Sequence, residues 1–85
     1  MDRLIIDVRE PHEHNRGHVK GSINLPLSVI DKQIDFRDIP SKDTELIIYC
    51  QSGNRSSIAC NILSAKGYTK VINGINQAHI EKNYF

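Results

Sequence analysis

The chain of 85 residues has no tryptophan, one methionine, two cysteines and three prolines. Its three Tyr and two Phe are too few for a platform on which nucleic-acid bases stack. Neither sign of charge dominates: 11 Lys and Arg stand against 10 Asp and Glu, and no run of either sign stands out. A general nucleic-acid or membrane surface is therefore not expected. No apolar run approaches the ~20 residues that a membrane span needs. Met1 leads through Asp2 and Arg3 straight into a strand-like segment, which is no secretory signal, so the expected location is cytoplasmic. Cys50 and Cys60 are separated by a loop and helix. That holds their Cα atoms beyond the roughly 4.4–6.8 Å a disulfide spans. Two free thiols suit a reducing compartment.

What remains is enough for one small α/β domain spanning residues 1–85, since 39% of the residues are hydrophobic. A domain of this size buries only about 60–65% of the surface its unfolded chain exposes. Any site should then lie at a sheet edge or in a shallow cleft. Three runs read as strands: "LIIDV" at 4–8, "LIIY" at 46–49 and "TKVIN" at 69–73, with "GSINLP" as a brief fourth. Pro11 and Gly17 bracket a short helix. The stretch "LSVIDKQIDFRDIP" reads as a helix carrying Val29, Ile30, Ile34 and Phe36, with Ser28 or Asp31 as cap and Pro40 beyond its end. "SSIACNILSAKG" is the best helix, with Ile58, Ala59, Ile62 and Leu63 as its apolar stripe and Gly67 as its stop. The tail "INQAHIEKNYF" reads as a last short helix. A strand, helix and strand over 46–72 form a βαβ unit, so those strands should be parallel. The whole is a small, mostly parallel sheet flanked by helices.

"YCQSGNRSS" at 49–57 puts a thiol on the loop between a strand and a helix. Successive amides of such a loop, with the positive end of the helix, make an anion nest that lowers a cysteine's pKa. Gly53 permits the tight turn. Arg55 supplies planar donors for an oxyanion. Ser56 either caps the helix or donates into the nest. Cys50 is thus the candidate nucleophile, with Gln51, Ser52, Gly53, Asn54, Arg55 and Ser56 around an anionic substrate. In an open parallel sheet, sites gather at the carboxyl ends of strands. That would bring Asp7, Val8 and Arg9 to the same edge as Cys50.

The pattern resembles the rhodanese family of sulfurtransferases. "CQSGNRS" is similar to its active loop of Cys, four residues, Arg and Ser. "IDVREPHEHNRGHVKGSINLP" is similar to its other signature through Asp7, Val8, Arg9, Glu10, Glu13, Gly17, His18, Val19, Gly21, Ile23, Asn24 and Pro26. Together the motifs cover roughly residues 4–74, in the family's order. The likeness is greatest to the short stand-alone members of the phage-shock type, because the usual strand and helix before the Asp-Val-Arg strand are lacking. Two departures stand out. His14 replaces a common aromatic residue, and "NGINQAH" replaces a Gly-Gly and later Trp. Both bear on the cleft and neither on the nucleophile. The resemblance implies a Cys50 persulfide, formed from thiosulfate or a similar sulfur anion and discharged to cyanide, a cellular thiol or a thioredoxin-like protein. It implies no metal or organic cofactor.

Two other readings fit parts of the pattern. Cysteine phosphatases and arsenate reductases use a similar nest, but with five residues between Cys and Arg; this loop has four. A persulfide carrier or docking module with little free turnover would keep the same Cys50 and Arg55. Structural roles are expected elsewhere. Cys60 reads as a packing residue on a partly exposed helix face. Arg9, Glu10 and Glu13 read as an ion pair at the active edge, and Asp7 as a partner of nearby backbone. His18 reads as a buried histidine satisfied by backbone. His12, His14, His18 and His79 do not assemble a metal-ligand pattern.

Overall fold

A computed structural model describes residues 3–32 and 39–85. The β-branched runs form β1 (Arg3–Asp7), β3 (Glu45–Cys50) and β4 (Lys70–Asn76), joined by the short β2 (Ile23–Asn24). The sheet order is β2-β1-β3-β4, and every pairing is parallel. Four helices complete the described residues: α1 (Pro11–Asn15), α2 (Leu27–Ile30), α3 (Asn54–Ala65) and α4 (Gln77–Asn83). No helix among them is long and apolar enough to cross a membrane.

Strand alternation divides the core into two layers. From the central strand β3, Leu46, Ile48 and Cys50 face a layer with Ile6, Val8, Ile30, Ala59 and Leu63. Ile47 and Tyr49 face the other side, with Val19 and Ile80. Helices α2 and α3 therefore cover one face and α4 the other. The same alternation separates the two chemical groups at the end of β3. Cys50 points toward α3, while Tyr49 points away from it and toward Asp7, its register partner on β1.

Several expectations change in detail. The helix expected from Leu27 has one turn in the described residues, ending at Ile30; Ile34 and Phe36 lie outside them. Its N-cap position is Pro26, whose fixed φ of −58° suits the entry. Ser28 caps nothing and its hydroxyl donates to Glu10 at 3.0 Å. Asp31 is the C-cap, and Val29 faces outward. Helix α3 starts at Asn54, two residues before the expected Ser56, because Gly53 takes a left-handed φ of 95° and ends the loop there. Its buried line runs through Ser56, Ala59 and Leu63. At 3.6 residues per turn, Ile58 lies nearly opposite that line and is 51% exposed, so it is not part of the stripe. Cys60 sits beside the line and packs partly buried against the core.

Strand β4 runs past the expected end at Asn73 by means of a bulge. Ile48 pairs with Asn73 and Tyr49 with Ile75, which leaves Gly74 as the extra residue. A Cβ on Gly74 would lie 2.8 Å from Ile47 Cγ2 and from Ile80 Cδ1. Only glycine lets α4 close onto the sheet here. Ile75, next in the chain, adopts a φ of 70°, a conformation that costs a β-branched residue roughly 1–2 kcal/mol.

Candidate active site

β2 lies on one side of β1 and β3 on the other. The chain thus reverses direction of travel across the sheet between β1 and β3, and the crevice outside their carboxyl ends is the natural ligand position. Cys50 is the last residue of β3, and Asp7 the last of β1.

The Cys50 side chain is nearly enclosed, with 2% of the residue exposed. Two backbone amides aim at its sulfur: Gly53 N–H donates to Sγ at 3.1 Å and Ser56 N–H at 3.4 Å. The Ser56 hydroxyl oxygen lies 3.5 Å from Sγ. Burial on its own would push this thiol up. The hydroxyl and amide of Ser56, with the amides of Ser52 and Gly53, outweigh it and hold the group below an ordinary cysteine. Ser56 is fully buried and belongs to the first turn of α3 without capping it. Gln51 and Asn54 are exposed and make no hydrogen bond to the sulfur among the described residues.

Arg55 and Glu13, 42 residues apart in sequence, meet across the mouth of this loop. Nη1 donates to Oε1 at 2.7 Å and Nη2 to Oε2 at 2.9 Å, a bidentate pair. The guanidinium, with the Glu10 amide that donates to Oε1 at 3.0 Å, holds the Glu13 carboxyl down at about 2. Arg55 is raised in turn, chiefly by Glu13. The expected ion pair among Arg9, Glu10 and Glu13 is therefore replaced by two others, because Glu13 on α1 meets Arg55 of α3 and Arg9, ahead of α1, folds back onto Asp7 two residues before it. Beside the Arg55 pair opens a cleft of about 350 Å³, lined by Arg9, Glu13, Arg16, Gly17, Gln51 and Gln77. Another cavity among the described residues, of about 320 Å³, lies along the C-terminal half of α3, at the opposite end of that helix from Cys50.

Asp7 is fully buried and saturated with donors. Oδ1 accepts the Arg9 amide at 3.0 Å and Nε at 2.9 Å; Oδ2 accepts Arg9 Nη2 at 2.7 Å, His14 Nδ1–H at 2.8 Å and the Tyr49 hydroxyl at 3.2 Å. Burial would raise the carboxyl, but Arg9 and His14 together take it below its usual range. The Tyr49 hydroxyl also accepts the Val19 amide at 3.0 Å. Asn24 Nδ2 ties the carbonyls of Asp7 and Arg9 at 2.9 and 2.8 Å. His18 donates Nδ1–H to the His14 carbonyl at 2.8 Å and stacks on the His14 ring at 3.7 Å between centroids. It is exposed, not buried, because it lies on the outer side of that stack. His12 and His79 are apart from it on α1 and α4. No group of three or more His, Cys, Asp or Glu among the described residues is placed to share a metal ion.

The two thiols are thus distinguished by their surroundings. Burial without a donor pushes Cys60 up to about 11, while the loop lowers Cys50. Iodoacetamide at neutral pH should modify Cys50 well ahead of Cys60, as read by peptide mass spectrometry. Equal labelling of both would contradict the donor geometry. One further residue of this neighbourhood is the first of "NGINQAH", the departure expected to bear on the cleft and not on the nucleophile. Asn73 accepts the Ser56 hydroxyl at 2.6 Å on Oδ1 and donates from Nδ2 to the Gly53 carbonyl at 3.3 Å. The signal for it is faint but present: it stands two residues after Val71, on the strand face turned toward α3.

A cysteine at the end of a central parallel strand, with amides and a helix start closing on its sulfur, defines a class of α/β proteins built around one thiol whose charged form the backbone stabilises. Comparison with known proteins then identifies the particular family. The Rhodanese-like domain family matches residues 1–75, and the chain belongs to it. The chain is similar to thiosulfate sulfurtransferase PspE of Escherichia coli, 41% identical over 68 residues, covering 80% of this chain and 64% of that protein. It is also similar to a sulfurtransferase of Allochromatium vinosum, 40% identical over 72 residues, covering 85% of this chain and 64% of that one. The chain thus spans just under two thirds of the length of these relatives. Among solved structures, a rhodanese with anions from E. coli superposes with a TM-score of 0.82 at 37% identity, over 92% of this chain and 91% of that one.

Proposed function

We propose that this domain is a sulfurtransferase in which Cys50 carries the sulfur as a persulfide. The observation that carries the reading is the convergence of the Gly53 and Ser56 amides on one buried sulfur. In the first step the Cys50 thiolate attacks the outer sulfur of thiosulfate or a similar donor. The donor's S–S bond breaks, sulfite leaves with the bonding pair, and Cys50 holds an S–S⁻ group. In the second step an acceptor, cyanide or a thiolate, attacks the terminal sulfur and Cys50 leaves as the thiolate. Neither step needs an external oxidant or a cofactor. The amides that stabilise the thiolate also serve the persulfide, each charge-assisted hydrogen bond contributing on the order of 1.5–3 kcal/mol. Arg55 orients the donor through the guanidinium N–H groups that Glu13 leaves open. The acceptor enters through the cleft bordered by Gln51 and Gln77. Thioredoxin-like proteins are candidate acceptors, and two free thiols suit the cytoplasm.

The Glu13–Arg55 pair favours a second reading, a persulfide carrier. Both terminal nitrogens of Arg55 are already engaged, which weakens the pull on a small dianion such as thiosulfate. The test is a donor and acceptor screen on the purified protein. Thiosulfate and organic sulfane-sulfur donors are added, and intact mass reports a Cys50 adduct one sulfur heavier. Cyanide, reduced glutathione and a thioredoxin are then offered. A persulfide discharged rapidly to any of them supports the enzyme, and a stable persulfide with slow discharge supports the carrier. No adduct from any donor, with Cys50-dependent hydrolysis of an aryl phosphate, would overturn both.

A further inference from the structure

The Ser56 hydroxyl has one proton and two neighbours that want it. Asn73 Oδ1 lies at 2.6 Å and Cys50 Sγ at 3.5 Å. Ser56 is fully buried, so water does not settle the competition. While Cys50 is a thiol, its S–H donates to Ser56 Oγ and the Ser56 proton goes to Asn73. Once the sulfur is negative it can only accept, and the hydroxyl must turn from Asn73 to reach it. Asn73 Oδ1 is not stranded by that turn, because the Ile75 amide donates to it at 3.0 Å. The same side chain holds the other donor of the nest in place: its Nδ2 binds the carbonyl of Gly53, whose own amide is the nearest donor to the sulfur. The bulge at Gly74 and the left-handed Ile75 fix the strand end from which Asn73 reaches both groups.

We propose that Asn73 is a positioning residue that takes up the Ser56 proton when Cys50 is neutral and yields it when the sulfur is charged. The inference rests on the sulfurtransferase reading only for its consequence in transfer. Its core concerns the thiol itself and can be tested without any sulfur donor. In the first half-cycle Cys50 Sγ passes from thiolate to the uncharged inner sulfur of a persulfide, and in the second it returns to thiolate; the hydroxyl faces Sγ while the charge sits there. Asn73 thus makes the charged state depend on a competition that a simple strut would not create.

The test is the pH midpoint of Cys50 alkylation by iodoacetamide, followed by peptide mass so that Cys60 does not intrude. Wild type, Asn73→Ala and Asn73→Asp are each measured with Ser56 present and in a Ser56→Ala background. Asn73→Ala removes the competitor, so the midpoint should fall by about half to one pH unit, the scale of one hydrogen bond divided between two protonation states. In Ser56→Ala that fall should vanish. Asn73→Asp should raise the midpoint, and by more with Ser56 present than without it. Urea unfolding checks that each variant folds; should Asn73→Ala fail that check, the nearly isosteric Asn73→Asp carries the comparison. An Asn73→Ala midpoint that is unchanged or raised, or shifts equal in the two Ser56 backgrounds, would reduce Asn73 to a loop support and overturn the proposal. Absence of persulfide in wild type would instead sink the sulfurtransferase reading, leaving the alkylation result standing.

Discussion

Cys50→Ser should remove sulfur transfer to background, a loss of at least about 10³-fold in a thiosulfate or organic-donor assay, the scale on which loss of a covalent nucleophile is felt. The size follows from the chemistry of the intermediate. A serine hydroxyl ionises far above neutral pH, so the loop's donors cannot bring it into range. It also has no route to an S–S bond, so neither half of the transfer remains. The fold should hardly notice. The substitution is close to isosteric, and the Gly53 and Ser56 amides at 3.1 and 3.4 Å can donate to an oxygen in place of the sulfur. Urea unfolding within about 1 kcal/mol of wild type is expected. Activity and stability measured on the same preparation therefore separate a lost nucleophile from a lost structure. Substantial transfer by folded Cys50→Ser would move the chemistry to another residue and remove the basis for the whole reading.

Much of this architecture is visible in the sequence because it rests on local pattern. The β-branched runs at 4–8 and 46–49 become β1 and β3 because buried parallel strands need apolar residues on both faces. The spacing of Cys50, Gly53 and Arg55 marks the loop, since a thiol before a helix start is a local arrangement. What pattern does not reveal is choice of partner across elements. Glu13 is visible as an acidic residue, yet nothing in its neighbourhood says that it reaches Arg55 and not Arg9. That choice depends on where α1 sits relative to α3 in the folded chain, which brings Glu13 to Arg55. His14 looks like a departure from an aromatic position, but its ring makes both a stack with His18 and a hydrogen bond to Asp7. Ile58 misleads for a related reason. A buried serine, Ser56, takes a place on the inward line of α3 with Ala59 and Leu63, and apolar periodicity wrongly adds Ile58 to a face that Ala59, Ile62 and Leu63 do form. Asn73 is hidden because a polar residue near a strand end usually marks a turn.

Asp7→Ala should be the most damaging substitution for stability, at roughly 3–5 kcal/mol, the cost of leaving a buried charge without its partner. Small domains have only about 5–15 kcal/mol in total, so a large part of the folding equilibrium is at stake. The loss has three sources. The Arg9 side chain is only 13% exposed and loses its bidentate carboxylate. His14 Nδ1–H and the Arg9 amide lose their acceptor. The Tyr49 hydroxyl, in a residue with no exposure, loses the group to which it donates. Asp7→Asn keeps the shape and one oxygen, so it should cost clearly less than alanine. The pH dependence has a definite sign. The carboxyl of Asp7 is lower in the folded protein than in the unfolded chain. Its contribution is therefore full above the unfolded value of about 3.9 and is lost as pH falls through the lower folded one. Urea unfolding from neutral pH into acid should show wild type losing stability below about pH 4 more steeply than Asp7→Asn. Glu13, held at about 2 by Arg55, keeps some acid sensitivity in the variant. Parallel pH profiles for the two proteins would mean that Asp7 is not the buried anion on which this edge of the sheet is assembled.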